Sequence, residues 1–292
     1  MSSLTSLAVR LYIDRPTSNL YHYTSLGSIL KIVPTSLLHA TDARFLTDAS
    51  EMRVIVENLK FAMSNVTDPD DFTARVHAEL RAWLENRLSE LGHAVFVACF
   101  TQNGNLLSQW RSYCDPGKGL SIGFNPDKLA STAQAQGFTV GKCIYDPKRQ
   151  KEIAAEVLSV IELQAKLMFP DAAERGPFAP AFAAVEADLL NIAVLFKDNA
   201  FREEDEWRVV SPVISDYVNS AINFREGRSL LTPYVNFNLP TSTKGTVDFE
   251  HVWLGPTPHR NAALVAVTEY FSRHGSAPRL GIGYCNIPYR TW

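Results

Sequence analysis

The sequence has few cysteines, and none of them are closely spaced. Its 292 residues include only Cys99, Cys114, Cys143 and Cys285, with no C-x-x-C pair and no His beside them at metal-ligand spacing. Disulfide scaffolds and structural zinc sites both need clustered Cys or His residues. We therefore expect four reduced thiols in a cytosolic protein.

A long apolar run is also missing. No stretch approaches the ~18 apolar residues that a membrane span needs, and the first residues do not join a basic region to an apolar one as a secretory leader does. These absences predict a cytoplasmic protein with no membrane partner.

Charge of one sign is not concentrated anywhere. The chain has 28 Lys and Arg against 31 Asp and Glu, a net charge of -3, without a block of like charges. Such a pattern gives no electrostatic footprint for duplex DNA or an anionic membrane. G-x-G-x-x-G and G-x-x-x-x-G-K-[ST] are absent as well, which removes the two commonest nucleotide-binding fingerprints.

What is present is an ordinary globular composition, with 46% hydrophobic and 20% charged residues and no internal repeat. We expect one domain over residues 1–292. Helical periodicity predicts helices near residues 52–59, 69–91, 153–164, 182–196 and 258–274. Runs rich in Val, Ile and Phe predict strands in HAVFVACF, GLSIGF and FTVGKCIY and at residues 206–213, 230–237 and 249–254. Because helices and strands come in groups, we predict an α+β fold with a mixed, largely antiparallel sheet packed with helices.

Four consecutive acids precede the last group of strands. Glu203, Glu204, Asp205 and Glu206 repel one another, so the run is either a solvated start of a strand or a site. In an extended segment Glu204 and Glu206 would point to the same side. Such a pair could bind sugar hydroxyls and stabilise an oxocarbenium-like cation.

Other polar residues have two interpretations each. His22, in the strand-like LYHYTS, is either a hydrogen-bonded core histidine or a ligand-binding residue. Trp110 and Tyr113 lie one helical turn apart and either pack in the core or contact a ligand. Asp48 and Glu51 have capping-box spacing, and their alternative is a role in metal-assisted hydrolysis.

Several short motifs resemble a bacterial family, the domain of unknown function 2971. They are YHYTS, the D-x-x-E of Asp48 and Glu51, QWRSY followed by KGLSIGF, FKDNAFREEDEWR and the terminal IPYR. Two positions depart from the family pattern. This chain has Thr47 where members usually have Asn, and Arg111 where they often have His.

The same segments resemble the ADP-ribosyltransferase superfamily. His22 and Thr24 match the Leu-Tyr-His-Gly-Thr strand of its H-Y-E branch, and Glu204-Asp205-Glu206 matches the E-x-E of its arginine-modifying branch. The resemblance implies a split, mixed β-sandwich that cradles NAD.

The superfamily also implies roles for individual residues. His22, Tyr23, Thr24, Trp110 and Tyr113 would bind the cofactor, with His22 on a ribose hydroxyl and Tyr113 stacked on nicotinamide. Glu206 would assist departure of nicotinamide, and Glu204 would position the acceptor.

Three functions stay open from the sequence. The first is NAD-dependent ADP-ribosyl transfer to a protein, nucleic acid or small molecule, or NAD hydrolysis, in a toxin or phage-defence effector that an inhibitory partner could hold silent. The second is a non-catalytic nucleotide- or protein-binding regulatory module. The third is a metal-assisted hydrolase built on Asp48, Glu51 and the acidic run, which would need divalent cations.

Overall fold

The computed structural model describes residues 3–46, 51–87, 93–114, 118–170, 177–218, 220–227 and 229–286, with only the backbone at positions 51 and 87. Its described α-helices are α1 (Leu4–Leu11), α2 (Leu26–Thr35), α3 (Glu51–Ser64), α4 (Asp71–Arg87), α5 (Leu107–Tyr113), α6 (Pro126–Ala135), α7 (Pro147–Met168), α8 (Ala179–Ala183), α9 (Glu186–Ala193) and α10 (Arg260–Arg273). Within these ranges no helix combines the length and apolar character needed to cross a bilayer.

The described strands belong to one open sheet. They are β1 (Leu20–Ser25), β2 (Leu37–Asp42), β3 (Phe96–Thr101), β4 (Gly119–Phe124), β5 (Thr139–Lys142), β6 (Glu206–Val210), β7 (Asn223–Glu226), β8 (Leu231–Asn238), β9 (His251–Leu254) and β10 (Ile282–Tyr284). Their order is β10-β9-β4-β1-β3-β2-β8-β7, with β6 beside β3 and β5 beside β6. Only β10 and β9 form a parallel pair among the described strands. The predicted α+β class with a mixed, mostly antiparallel sheet is confirmed.

Strand β3 has three neighbours. Thr101 pairs with Tyr21 of β1 and with Glu206 of β6, so β1 and β6 lie on opposite edges of β3. Val97 pairs in the same way with β2 and β6. Because a strand has only two edges, β1 and β2 share one edge of β3, at its opposite ends. We call the gap between them, beside residues 98–100, the fork.

Side chains alternate between the two faces of this sheet. On one face, Phe96, Ala98 and Phe100 join a core cluster with Ile29 of α2 and Phe271 of α10. We call this the α10 face. The opposite, α9 face carries apolar side chains that pack against α9 and the residues that follow it, namely Val95, Val97 and Val210 with Leu190 and Val194.

Several predicted boundaries change in the structure. The segment 182–196 forms α8 and α9 rather than one helix, and α2, which contains Pro34, ends at Thr35. The final helix ends as predicted, because Gly275 follows it with a φ of 64°. Residues 47–50, which include Asp48, lie outside the described part of the chain, as does the side chain of Glu51.

Candidate functional site

The acid run forms a turn before β6. Residues Asn199–Glu204 form a 3₁₀ turn, and Asp205 then adopts a left-handed conformation with φ 41° and ψ 52°. The predicted extended conformation of Glu204 is therefore wrong. The left-handed residue turns Glu204 inward and leaves Asp205 to pair with Lys142 at 2.8 Å, while Glu203 stays exposed.

Glu204 and Glu206 are buried in spite of this different backbone. Their exposed fractions are 8% and 4%. A solvated start of a strand is thus excluded for these two carboxylates. The left-handed turn brings the two side chains together, as the sequence predicted for a different reason.

One buried ammonium group joins the two carboxylates. Lys197 Nζ lies 2.5 Å from Glu204 Oε2 and also contacts Glu206 Oε2. Arg208 is fully buried, and its Nε donates to Glu206 Oε1 at 2.6 Å while its Nη1 donates to the Val194 carbonyl at 2.6 Å. We call Lys197, Glu204, Glu206 and Arg208 the buried ion cluster.

The two carboxylates have opposite electrostatic environments. Burial opposes ionisation of Glu206, but Arg208 and Lys197 outweigh it and lower the pKa of Glu206 to about 2. Burial also raises the pKa of Glu204, which Lys197 opposes and the contact with Glu206 reinforces. Glu206 is therefore held ionised, whereas Glu204 binds a proton more readily than an ordinary glutamate.

Tyrosine and cysteine side chains surround the cluster. The backbone N–H of Glu206 donates to Tyr145 Oη at 3.0 Å, and the Cys99 thiol donates a hydrogen bond to the Glu206 carboxylate. Burial raises the pKa of Tyr113, and Cys99, Glu204 and Glu206 raise it further. Tyr113 therefore lies within electrostatic reach of both carboxylates, and 36% of its surface is exposed.

Tyr23 and Trp110 form a buried aromatic pair. Their ring centroids are 4.6 Å apart in an edge-to-face arrangement, and both side chains are less than 7% exposed. Tyr23 Oη donates to the Asn103 carbonyl at 2.8 Å and accepts from the Leu106 N–H at 2.7 Å. Trp110 Nε1 donates to Asn105 Oδ1 at 3.0 Å. These contacts fasten α5 and the loop before it to β1.

His22 and Thr24 lie on the other face of the sheet from Glu206. They pair with Ile122 and Leu120, whose side chains belong to the α10-face core, whereas Glu206 pairs with Thr101 on the α9 face. The alternation of side chains along β1 therefore separates these two residues from the buried ion cluster.

The His22 ring lies at the fork, with its Nδ1 2.9 Å from the Cys99 carbonyl oxygen. Burial lowers the pKa of His22, the bond to Cys99 opposes this, and Arg225 lowers it further. Since a carbonyl only accepts, Nδ1 carries the hydrogen, and Nε2 of the neutral ring is an acceptor.

The structure thus groups some of the predicted site residues and separates others. Tyr113, Glu204 and Glu206 come together, and Trp110, which lies on the same α5 helix as Tyr113, packs against Tyr23. Sequence reasoning missed four members of the surroundings: Lys197, Arg208, Cys99 and Tyr145. A usable signal existed for Lys197, because it directly follows the apolar run NIAVLF and begins the charged part of FKDNAFREEDEWR.

Within the described ranges, no group of three or more His, Cys, Asp or Glu side chains is placed to hold a metal ion. Of the side chains on which the metal-assisted hypothesis rests, those of Asp48 and Glu51 lie outside those ranges, whereas those of the acidic run lie within them. That hypothesis stays a prediction.

Comparison with known proteins gives one match. Residues 109–209 match a family model described as "Protein of unknown function (DUF2971)". No curated protein and no solved structure matches the chain. The matched segment runs from α5 to β6 and contains Tyr113 and the whole buried ion cluster, but not β1 with His22. Over about a third of its length, the chain is therefore similar to this family of unknown function.

Proposed function

We propose that the protein cleaves the bond between nicotinamide and ribose in NAD and transfers ADP-ribose to an acceptor or to water. The observation that supports this is the pair of adjacent carboxylates whose pKa values are moved in opposite directions. Paired carboxylates with different proton affinities are the usual equipment for cleaving a glycosidic bond.

Each carboxylate has a distinct role in this proposal. Nicotinamide leaves with the electron pair of its C–N bond, and ionised Glu206 stabilises the positive charge that develops on the ribose. The acceptor oxygen then bonds to the ribose carbon, and its proton passes to Glu204, which binds protons readily. Lys197 contacts both carboxylates, so the ribosyl cation must replace one of its contacts.

The remaining parts of the proposal concern the cofactor. Tyr113 is a partly exposed aromatic residue near both carboxylates, and we place nicotinamide against its ring. The fork would be the split of an ADP-ribosyltransferase-like β-sandwich, with His22 Nε2 accepting from a ribose hydroxyl there. Because His22 and Glu206 lie on opposite faces, NAD would have to pass through the fork to meet both.

The wider role is proposed from the superfamily resemblance. It includes a cytoplasmic location, an unknown acceptor, an inhibitory partner and activity as a toxin or phage-defence effector. One observation favours the non-catalytic binding alternative instead. Two cations hold the 4% exposed Glu206, which is also how a purely structural carboxylate is buried.

A nicotinamide-release assay tests the proposal. The purified protein is incubated with NAD, with and without chelator, and nicotinamide is measured by chromatography. We expect release that is insensitive to chelator, and a loss in kcat of about 10²–10³ in Glu206→Gln with little change in KM. Glu203→Gln, which removes the neighbouring exposed carboxylate, is the matched control and should retain activity.

Two further measurements separate chemistry from folding. The variant assays are run at a temperature where circular dichroism shows each variant to be folded, and Glu204→Gln is assayed in parallel. A thermal shift with NAD but no release of nicotinamide would support the binding module instead. Equal kcat values for Glu203→Gln and Glu206→Gln would remove Glu206 from the mechanism.

A further inference from the structure

The α9 face of β2, β8 and β7 is polar; Arg225 and Asn236 on it are exposed, whereas Thr41 and Thr232 are buried. The strand register puts Thr41, Tyr234 and Asn223 side by side, and their neighbours two positions away share that face. The opposite face of the same strands carries core residues, including Leu38, Ala40, Val235 and Phe237. We call the polar set the polar arm; its residues are His39, Thr41, Arg225, Thr232, Tyr234 and Asn236. These polar residues are not part of the apolar core cluster that packs on the opposite face.

Arg225 is the central cation of the polar arm. Its Nη2 donates to Thr41 Oγ1 at 2.9 Å, and among the described residues it makes no contact with a carboxylate. Partial burial of the otherwise exposed Arg225 side chain lowers the pKa of Arg225, and the nearby Tyr234 opposes this. A guanidinium has five N–H donors, so most of those on Arg225 face solvent or a ligand.

The groups around Arg225 add positive field and a flat ring surface. His39 stacks on Tyr234 with ring centroids 3.8 Å apart and an angle of 22° between the planes. Burial lowers the pKa of His39, and Arg225 and the exposed Lys31 of α2 lower it further. Two cations therefore act on this ring without a described carboxylate to balance them.

We propose that the polar arm binds a phosphate group of a diphosphate-bearing ligand. Arg225 can donate two parallel N–H bonds to phosphate oxygens, and Lys31 and His39 add further donors. The stacked His39 and Tyr234 rings give a surface on which the base of a nucleotide can lie. This proposal is independent of the NAD proposal, because it uses neither Glu204 nor Glu206.

Calorimetric titration with inorganic pyrophosphate at low salt tests the site. We expect saturable binding that weakens about tenfold to a hundredfold in Arg225→Gln, because a charge-assisted hydrogen-bonding group is lost. Lys31→Gln should weaken it less. Arg149→Gln is the matched control, since Arg149 is an exposed arginine on α7 that already has an acidic partner, Glu152. Arg225 is also exposed, so its variant should fold normally, which circular dichroism checks.

Further titrations distinguish the source of the phosphate. Tighter binding of a short single-stranded oligonucleotide, which carries single phosphodiesters, than of both diphosphates would contradict the proposal. Tighter binding of ADP than of pyrophosphate indicates a nucleotide, and the reverse order indicates recognition of the diphosphate alone. Either order supports the site if Arg225→Gln weakens it. Failure of all three ligands to bind at millimolar concentration, or equal binding by wild type and Arg225→Gln, would overturn the proposal.

A spectroscopic readout locates the bound anion. A phosphate near His39 must raise the pKa of His39, which now faces the cations Lys31 and Arg225 together with the Tyr234 ring. The nuclear magnetic resonance titration of the His39 ring, with and without pyrophosphate, measures that change. Binding that leaves the pKa of His39 unchanged would place the anion elsewhere and refute the polar-arm assignment.

Discussion

Replacement of Glu206 by Gln gives the sharpest test of the buried ion cluster. The substitution preserves shape but deletes the charge that Lys197 and Arg208 both contact. Lys197 is 2% exposed and Arg208 is fully buried, so water cannot replace the lost carboxylate. Lys197 keeps its bond to Glu204, and Arg208 keeps its bond to the Val194 carbonyl.

The expected loss of stability is large. Removing one partner of a buried ion pair costs about 3–5 kcal/mol, because the remaining charge is left in a poorly solvating interior. The whole free energy of unfolding of a domain is about 5–15 kcal/mol, so the variant should lie well below wild type. Glu203→Gln should change it by less than about 0.5 kcal/mol, because Glu203 is exposed.

Urea unfolding followed by circular dichroism measures this difference. The midpoints of wild type, Glu203→Gln and Glu206→Gln are compared at pH 7, with the slopes checked for a common unfolding transition. If Glu206→Gln unfolds at the same urea concentration as Glu203→Gln, the ion pairs of Glu206 with Lys197 and Arg208 do not stabilise the protein, and the electrostatic account of the site fails.

Three further predictions concern pH and the aromatic residues. The pKa of Glu206 falls from 4.5 to about 2 on folding, so Glu206 contributes about 3 kcal/mol to the free energy of unfolding above pH 4.5, and this contribution is lost as the pH falls towards 2. Glu204, whose pKa is raised, acts in the opposite sense. Between pH 4.5 and 2 the free energy of unfolding should therefore fall less in Glu206→Gln than in wild type. Folding lowers the pKa of His22, so the fold is most stable above pH 6.5, the pKa of an unfolded histidine, and loses stability as the pH falls below 6.5. Below pH 6.5 the urea midpoint of His22→Gln should therefore vary less with pH than that of wild type. An identical pH dependence of the two midpoints would contradict burial of a neutral ring. Trp110→Ala should lower the free energy of unfolding by about 3–5 kcal/mol, whereas Tyr113→Ala, at an exposed position, should cost much less, and thermal unfolding that ranks them the other way would refute the assignment of Trp110 to packing.

Local patterns in the sequence were sufficient for much of the fold. Apolar periodicity predicted a helix near residues 153–164, and its apolar residues Ile153, Val157 and Ile161 are at most 1% exposed on α7. The class of sheet was also predictable, since grouped strands and helices favour antiparallel pairing. These features depend on periodicity, which any short window of sequence contains.

The candidate site depended on information that such windows do not contain. The approach of Glu204 to Glu206 follows from the left-handed Asp205, and a run of four acids gives no direct signal for that conformation. The separation of His22 from Glu206 follows from the pairing of β1 and β6 with β3. Thr101 of β3 pairs with both Tyr21 and Glu206, which are 185 positions apart in the sequence. Long-range register decides which face a strand residue occupies, and one sequence alone does not supply it.

The fork also makes the sheet mechanically uneven. One arm, β1 with β4, β9 and β10, meets β3 through the described pair Tyr21–Thr101, and the other, β2 with β8 and β7, meets it through Thr41–Val97 and Asp42–Phe96. On the α10 face, however, both arms share one continuous apolar core. That core acts as the spine of a hinge, because opening it would expose buried apolar surface. We therefore expect the softest motion of the sheet to be a bending about β3 that changes the width of the fork on the α9 face while the apolar core on the α10 face stays closed.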